Sequence, residues 1–150
     1  MAAGYAQVVD HPSEADLAVL RLQAPHDPRE GGFEQLFRQS RLHYTDPEIG
    51  HVAAIADAVP TVVDVFLERP ATLTGLAGHA QLVGDFGATD RAVLDAVLDG
   101  NGGGATLPVE LPRTPEQVDN GGEDVPRDAG DPLFAYGHGH PTPESGTAAP

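Results

Sequence analysis

Cysteine is absent from all 150 residues, which excludes disulfides, thiolate catalysis and cysteine-based zinc sites. Basic side chains are scarce: 8 Lys and Arg stand against 23 Asp and Glu, for a formal charge of −15. That balance argues against a nucleic acid or an anionic membrane as partner. Long hydrophobic runs are missing too, with nothing approaching the ~20 apolar residues of a membrane helix. The opening residues, Met1 to Asp10, show neither a basic n-region nor a long apolar h-region. The expectation is a soluble, cytoplasmic protein. A chain of 150 residues fits one domain with a core, and not a barrel plus a second domain.

What is present is an alternation of short apolar runs and helical patterns. Leu17–Leu22 reads as a buried strand, preceded by Ser13–Asp16 as the remnant of a helix. Asp46-Pro47-Glu48 reads as a helix start, with Asp46 as N-cap and Pro47 at the first helical position. Ile49, Val52, Ala53, Ile55 and Ala56 form its apolar stripe, and Pro60 closes it. Thr61–Leu67 is the strongest strand signal, rich in β-branched residues and bounded by Pro60 and Pro70. A small-residue helical segment, Thr72–Ala80, leads to a third strand run, Gln81–Phe86. Thr89 or Asp90 can cap a helix through Leu98, and Leu107–Leu111 is a short final strand candidate. Residues 112–130 are turn-rich.

Strands separated by helices need crossover connections, so the fold class is α/β. The expected architecture is a parallel, doubly wound sheet with flanking helices, in which Leu17–Leu22, Thr61–Leu67 and Gln81–Asp85 are neighbours. Ligands of such sheets bind beyond the carboxyl ends of the strands. Three loops lie there: Gln23–Gly32, Glu68–Pro70 and Asp85–Ala88.

Two stretches carry a family resemblance: Gly104-Ala-Thr-Leu-Pro-Val-Glu-Leu-Pro-Arg113 and Asp131-Pro-Leu-Phe-Ala-Tyr-Gly-His-Gly139. Together they resemble the closing segment of the C-terminal domain of family 3 glycoside hydrolases, the β-glucosidase type. Thr61–Pro70 is similar to that family's Val-Val-Val-x-x-x-x-Gly-Arg-Pro segment, with Glu68-Arg69-Pro70 in place of Gly-Arg-Pro. The chain departs from the pattern at Leu98-Asp99-Gly100, where Leu-Phe-Gly is usual, and at His138 and His140. The resemblance implies that residues 1–140 form a partial, N-terminally truncated C-terminal α/β sandwich domain, short by about two strands. Residues 141–150 read as a disordered tail.

The resemblance also implies a β-glucoside or oligosaccharide substrate, no cofactor, and a (β/α)8 barrel that holds an Asp nucleophile; the chain reads as the product of a split or decayed gene, or as the partner of a separately encoded barrel. Ala24–Gly32 occupies the place of the loop that brings the acid/base carboxylate, which makes Asp27 and Glu30 the catalytic candidates, with Glu30 preferred. Both also read as solvated loop charges. Arg69 and Asp85 are candidates for hydrogen bonds to sugar hydroxyls, although for Arg69 a pin for the Pro70 turn is the preferred reading. Without the barrel the chain is expected to be inactive. The alternative is a non-catalytic carbohydrate-binding or interaction module on the same scaffold.

Three further features are read as structural. Asp64 lies mid-strand, where an unpaired charge is costly if buried, so a backbone group or an arginine should satisfy it. His138-Gly139-His140 lacks the further ligands of a metal site and reads as a C-terminal turn. Asn101–Gly104 follows a helix and lacks the Lys-Ser/Thr ending of a phosphate loop.

Overall fold

The computed structural model describes residues 4–26, 41–98, 105–122, 125 and 127–139. Within them, β1 (Ala18–Gln23), α1 (Asp46–Ala56), β2 (Thr61–Phe66), α2 (Thr74–Ala77), β3 (Gln81–Asp85), α3 (Asp90–Leu98) and α4 (Pro115–Asp119) follow in chain order. The strands form one parallel sheet in the order β1-β2-β3. Ala18 pairs with Thr61 and Gln23 with Phe66; Val62 pairs with Gln81 and Phe66 with Asp85. The three strand runs are neighbours, as expected.

β2 is the hydrophobic centre, with Thr61 to Val65 buried and Phe66 half-buried. Successive side chains of a strand point to opposite faces. Val63 and Val65 therefore share a face with Leu20, Leu22 and Leu82, and there they meet Val52, Ile49 and Leu76 of α1 and α2. Each fully buried valine contributes roughly 1.5–3 kcal/mol. The opposite face carries Val62, Asp64 and Phe66, and α3 begins against it through Asp90, which pairs with Arg21 of β1. Helices thus flank both faces of a small α/β sheet. Among the described residues β1 and β3 are its edge strands, and their apolar side chains are only half-buried.

Several local expectations are corrected. α1 starts from Thr45, not from Asp46: the Thr45 N–H and hydroxyl both donate to the Glu48 carboxylate, at 2.7 and 2.8 Å, closing a capping box. Ser13–Asp16 supplies only a 3-10 turn over Pro12–Glu14, because the chain is extended again at Ala15. The Thr72–Ala80 segment contracts to α2, Thr74–Ala77, with Gly78 as its C-cap. Leu107–Leu111 makes no strand. Pro108 and Pro112 have no N–H for a ladder, and two isolated antiparallel bridges remain, Thr106 to Gly139 and Leu111 to Phe134. The turn-rich 112–130 stretch contains α4, started by a second capping box between Thr114 and Gln117. The proposed tail, 141–150, lies outside the described residues.

Candidate functional site

The carboxyl ends of β1, β2 and β3 all face one edge of the sheet, because the strands are parallel. Ala24, Pro25 and His26 leave β1, Glu68-Arg69-Pro70 follows β2, and Asp85–Ala88 follows β3. The two catalytic candidates, Asp27 and Glu30, lie outside the described residues. Pro25 and Arg41, in the described stretches on either side of them, are held by Arg69. Its Nη2 donates to Pro25 O at 2.5 Å and to Arg41 O at 3.2 Å. Arg69 therefore ties two distant parts of the chain together and does not simply pin its own Pro70 turn.

Asp85 is buried, with 6% of its surface exposed. One carboxylate oxygen, Oδ1, accepts from the Gly87 and Ala88 amides at 2.6 and 2.8 Å, and Oδ2 accepts from Arg21 Nη2 at 2.8 Å. Burial pushes its pKa up, but the two amides and the guanidinium outweigh it and hold the carboxyl below its usual range. Both oxygens thus have partners inside the chain.

Arg21 organises this edge. Besides Asp85 it donates Nε to Asp64 Oδ2 at 2.6 Å, Nη1 to Asp90, and Nη2 to Ala88 O at 3.1 Å. Asp64 is fully buried, and its Oδ1 has no hydrogen-bond partner. Burial raises its pKa, and the neighbouring Asp85 charge adds to that rise against the pull of Arg21. The expectation that an arginine satisfies Asp64 holds for one of its two oxygens. Arg21 was missed as an organising residue in an otherwise apolar run. The available signal was one charge in each strand run: Arg21, Asp64 and Asp85.

Among the described residues no group of His, Cys, Asp and Glu is arranged to hold a metal ion. His138 packs its ring against Phe134, 4.8 Å between centroids, and its carbonyl accepts from the Leu107 amide at 2.8 Å. Gly139 closes this turn with φ of +145°, and a Cβ there would lie 2.4 Å from Ala105 O. That contact explains why the Gly-His-Gly stretch needs glycine at this position. A cavity of about 630 Å3 runs along β3 between α3 and the Leu107–Phe134 region. Asp85 and His138 are its titratable lining residues, and aliphatic side chains form most of its wall. No helix among the described residues is long and apolar enough to cross a membrane.

No family model and no solved structure matches the chain. Curated proteins do. Over 133 residues, 88% of this chain, it is 41% identical to "Probable beta-glucosidase C" of Aspergillus flavus and covers 21% of that protein. It is 39% identical over 133 residues to "Beta-glucosidase C" of Emericella nidulans, covering 22% of it. Over 142 residues it is 34% identical to the "Periplasmic beta-glucosidase/beta-xylosidase" of Dickeya chrysanthemi, covering 21%. The chain spans about a fifth of the length of the curated relatives it matches.

Proposed function

Since the chain belongs with the C-terminal region of β-glucosidase-type family 3 glycoside hydrolases, we propose that it contributes the acid/base segment of a larger glycoside hydrolase acting on O-glycosyl bonds. The observation that carries this reading is the 41% identity, which extends over 88% of the chain yet only 21% of the relative. Such a proportion fits one domain of a multidomain enzyme.

Retaining glycosidases place two carboxyl groups about 5–5.5 Å apart, one as nucleophile and one as acid/base. In this reading Glu30 or Asp27 protonates the departing glycosidic oxygen and then activates the water that releases the sugar. The nucleophile and most of the sugar pocket come from a barrel domain, which is the partner the reading requires. A β-glucoside or oligosaccharide is the substrate class, and the chemistry needs no cofactor. Arg69 and Asp85 remain candidates for sugar hydroxyls at this edge, with Arg69 Nη2 and the Asp85 oxygens also bonded within the chain and Arg69 Nε without a hydrogen-bond partner among the described residues. The cytoplasmic expectation meets a relative named periplasmic, and fractionation of the host decides between the two compartments.

An assay with an aryl β-glucoside tests the reading. The chain alone should give background rates, and adding the barrel domain should give turnover that Glu30→Ala or Asp27→Ala abolishes. Turnover by the isolated chain that disappears in either variant would show that no second domain is needed.

A further inference from the structure

Nε and Nη2 of Arg21 form one edge of the guanidinium, two parallel N–H donors held in a rigid plane. A single carboxylate ordinarily fills such a fork with both of its own oxygens. Here two residues divide it. Asp64 Oδ2 accepts from Nε at 2.6 Å, and Asp85 Oδ2 accepts from Nη2 at 2.8 Å. The fork therefore sets oxygens of two different carboxyl groups side by side, within hydrogen-bond reach of each other. Neither group can retreat into water, since Asp64 is 0% and Asp85 6% exposed.

Two ionised carboxyl groups so placed repel each other, with little water to screen them. One proton between them removes the conflict. The other oxygen of Asp64 leads to the same answer, because Oδ1 is buried and has no hydrogen-bond partner. In a carboxylate it would carry uncompensated buried charge, whereas the carbonyl oxygen of a neutral acid is far less costly to leave unpaired. Asp85 has the partners that favour charge, the Gly87 and Ala88 amides besides Arg21. The proton therefore rests on Asp64 and is donated towards Asp85.

We propose that Asp64 and Asp85 are a proton-sharing pair that makes the 85–88 turn, between β3 and α3, a pH-sensitive lock. As pH falls from neutrality the pair takes up one proton, and Arg21 then balances a single negative charge on its fork. When that proton leaves, two negative charges face the same edge. Asp64 is fixed in the central strand, so the repulsion is relieved at Asp85, where the edge strand β3 ends. The remaining charged groups around the pair leave this balance in place. Asp90 of α3 meets Arg21 from outside with 57% of its side chain exposed, and Arg91 and Asp95 pair with each other. His138 lines the cavity beside Asp85, but its ring packs on Phe134. Burial, and then the Asp85 charge, raise the Asp64 pKa against the pull of Arg21, in keeping with a proton held there. The inference does not depend on the proposed hydrolase role.

Carbon-13 NMR of the side-chain carboxyls, followed on the full chain from pH 7 to 3, tests the sharing. Coupled groups titrate in common steps. The Asp64 and Asp85 signals should move together, with their first step above the ordinary 3.8. Asp85→Asn should shift the Asp64 midpoint downward, because the repelling charge is gone. Independent single steps in the wild type, or an Asp64 midpoint that ignores Asp85→Asn, would overturn the inference.

Amide hydrogen exchange reads the lock. Protection of the Gly87 and Ala88 amides, corrected for the intrinsic pH dependence of exchange, should fall about threefold above the shared step. The Val63 and Val65 amides of the central strand serve as the internal report on the fold. Asp64→Asn should hold Gly87 and Ala88 protection constant over the same range, since a neutral side chain leaves one charge on the fork. Protection that ignores the step in the wild type would overturn the lock. If either variant fails to fold, the wild-type titration and exchange decide alone.

Discussion

Arg21 of β1 stands opposite Asp64 of β2 in the parallel register, and its Nε donates to Asp64 Oδ2 at 2.6 Å. The pair crosses between strands at the one charged position of an otherwise apolar central strand. The same guanidinium reaches Asp85 at the end of β3. One side chain thus links all three strands through ionic contacts, in addition to the backbone ladder.

Removing that link should be costly. Arg21→Met would strand a fully buried carboxylate, and breaking a buried pair from one side costs about 3–5 kcal/mol. The lower end is expected, because the Arg21 side chain keeps 34% of its surface exposed. Urea unfolding of the single variant and of Arg21→Met with Asp64→Leu checks this. The double variant should recover most of the loss, since it removes the uncompensated charge as well.

Acid should unfold the chain through the lowered carboxyls. Asp85 and Glu48 are held below their ordinary values of 3.8 and 4.5. A lowered folded pKa gives stability that is complete above the unfolded value and lost as pH falls through the folded one. Asp64 has the opposite sign: its raised pKa favours the protonated form in the folded chain, so acidification through that pKa adds stability first. Stability followed from pH 7 to 3 should show a shallow gain before the loss. Asp64→Asn should erase the gain, and Asp85→Asn should flatten the loss.

Gly139→Ala should destabilise the C-terminal turn. At φ +145° a side chain is strained, and the added methyl would sit 2.4 Å from Ala105 O. A cost of about 1–3 kcal/mol is expected, read as a lowered melting temperature. Gly130→Ala is the control, because it shares a positive φ but has nothing within 4 Å.

Deleting residues 141–150 should leave the melting temperature essentially unchanged. The segment has three Pro and no large apolar side chain, so it offers little to pack. A drop of several degrees would show that it docks.

The apolar runs made the parallel sheet legible, because β-branched clusters bounded by proline at Pro60 and Pro70 leave few alternatives to a strand. α3 was legible for a similar reason, with Thr89 before a helical stripe and its hydroxyl accepting from the Ala92 amide. α4 was hidden inside a turn-rich stretch, although Thr114-Pro115-Glu116-Gln117 spells a capping box with proline at the first helical position. Leu107–Leu111 reads as a strand by its apolar residues, yet proline removes the donors that a ladder requires.

By itself the sequence determined the strand and helix alternation from β1 to α3, the parallel topology and the kinship, since each is written in local pattern or in motif. The partners of its polar side chains were decided only by the tertiary structure. Arg69 read as a sugar ligand or as a pin for its own turn, and the fold turned it towards Pro25 and Arg41. Asp85 read as a ligand for hydroxyls, and the fold supplied Gly87, Ala88 and Arg21 as partners for its oxygens. Apolar burial is a sum over many interchangeable contacts, so its pattern survives in one dimension. A hydrogen bond needs one donor and one acceptor about 3 Å apart, and that distance exists only once the chain has closed upon itself.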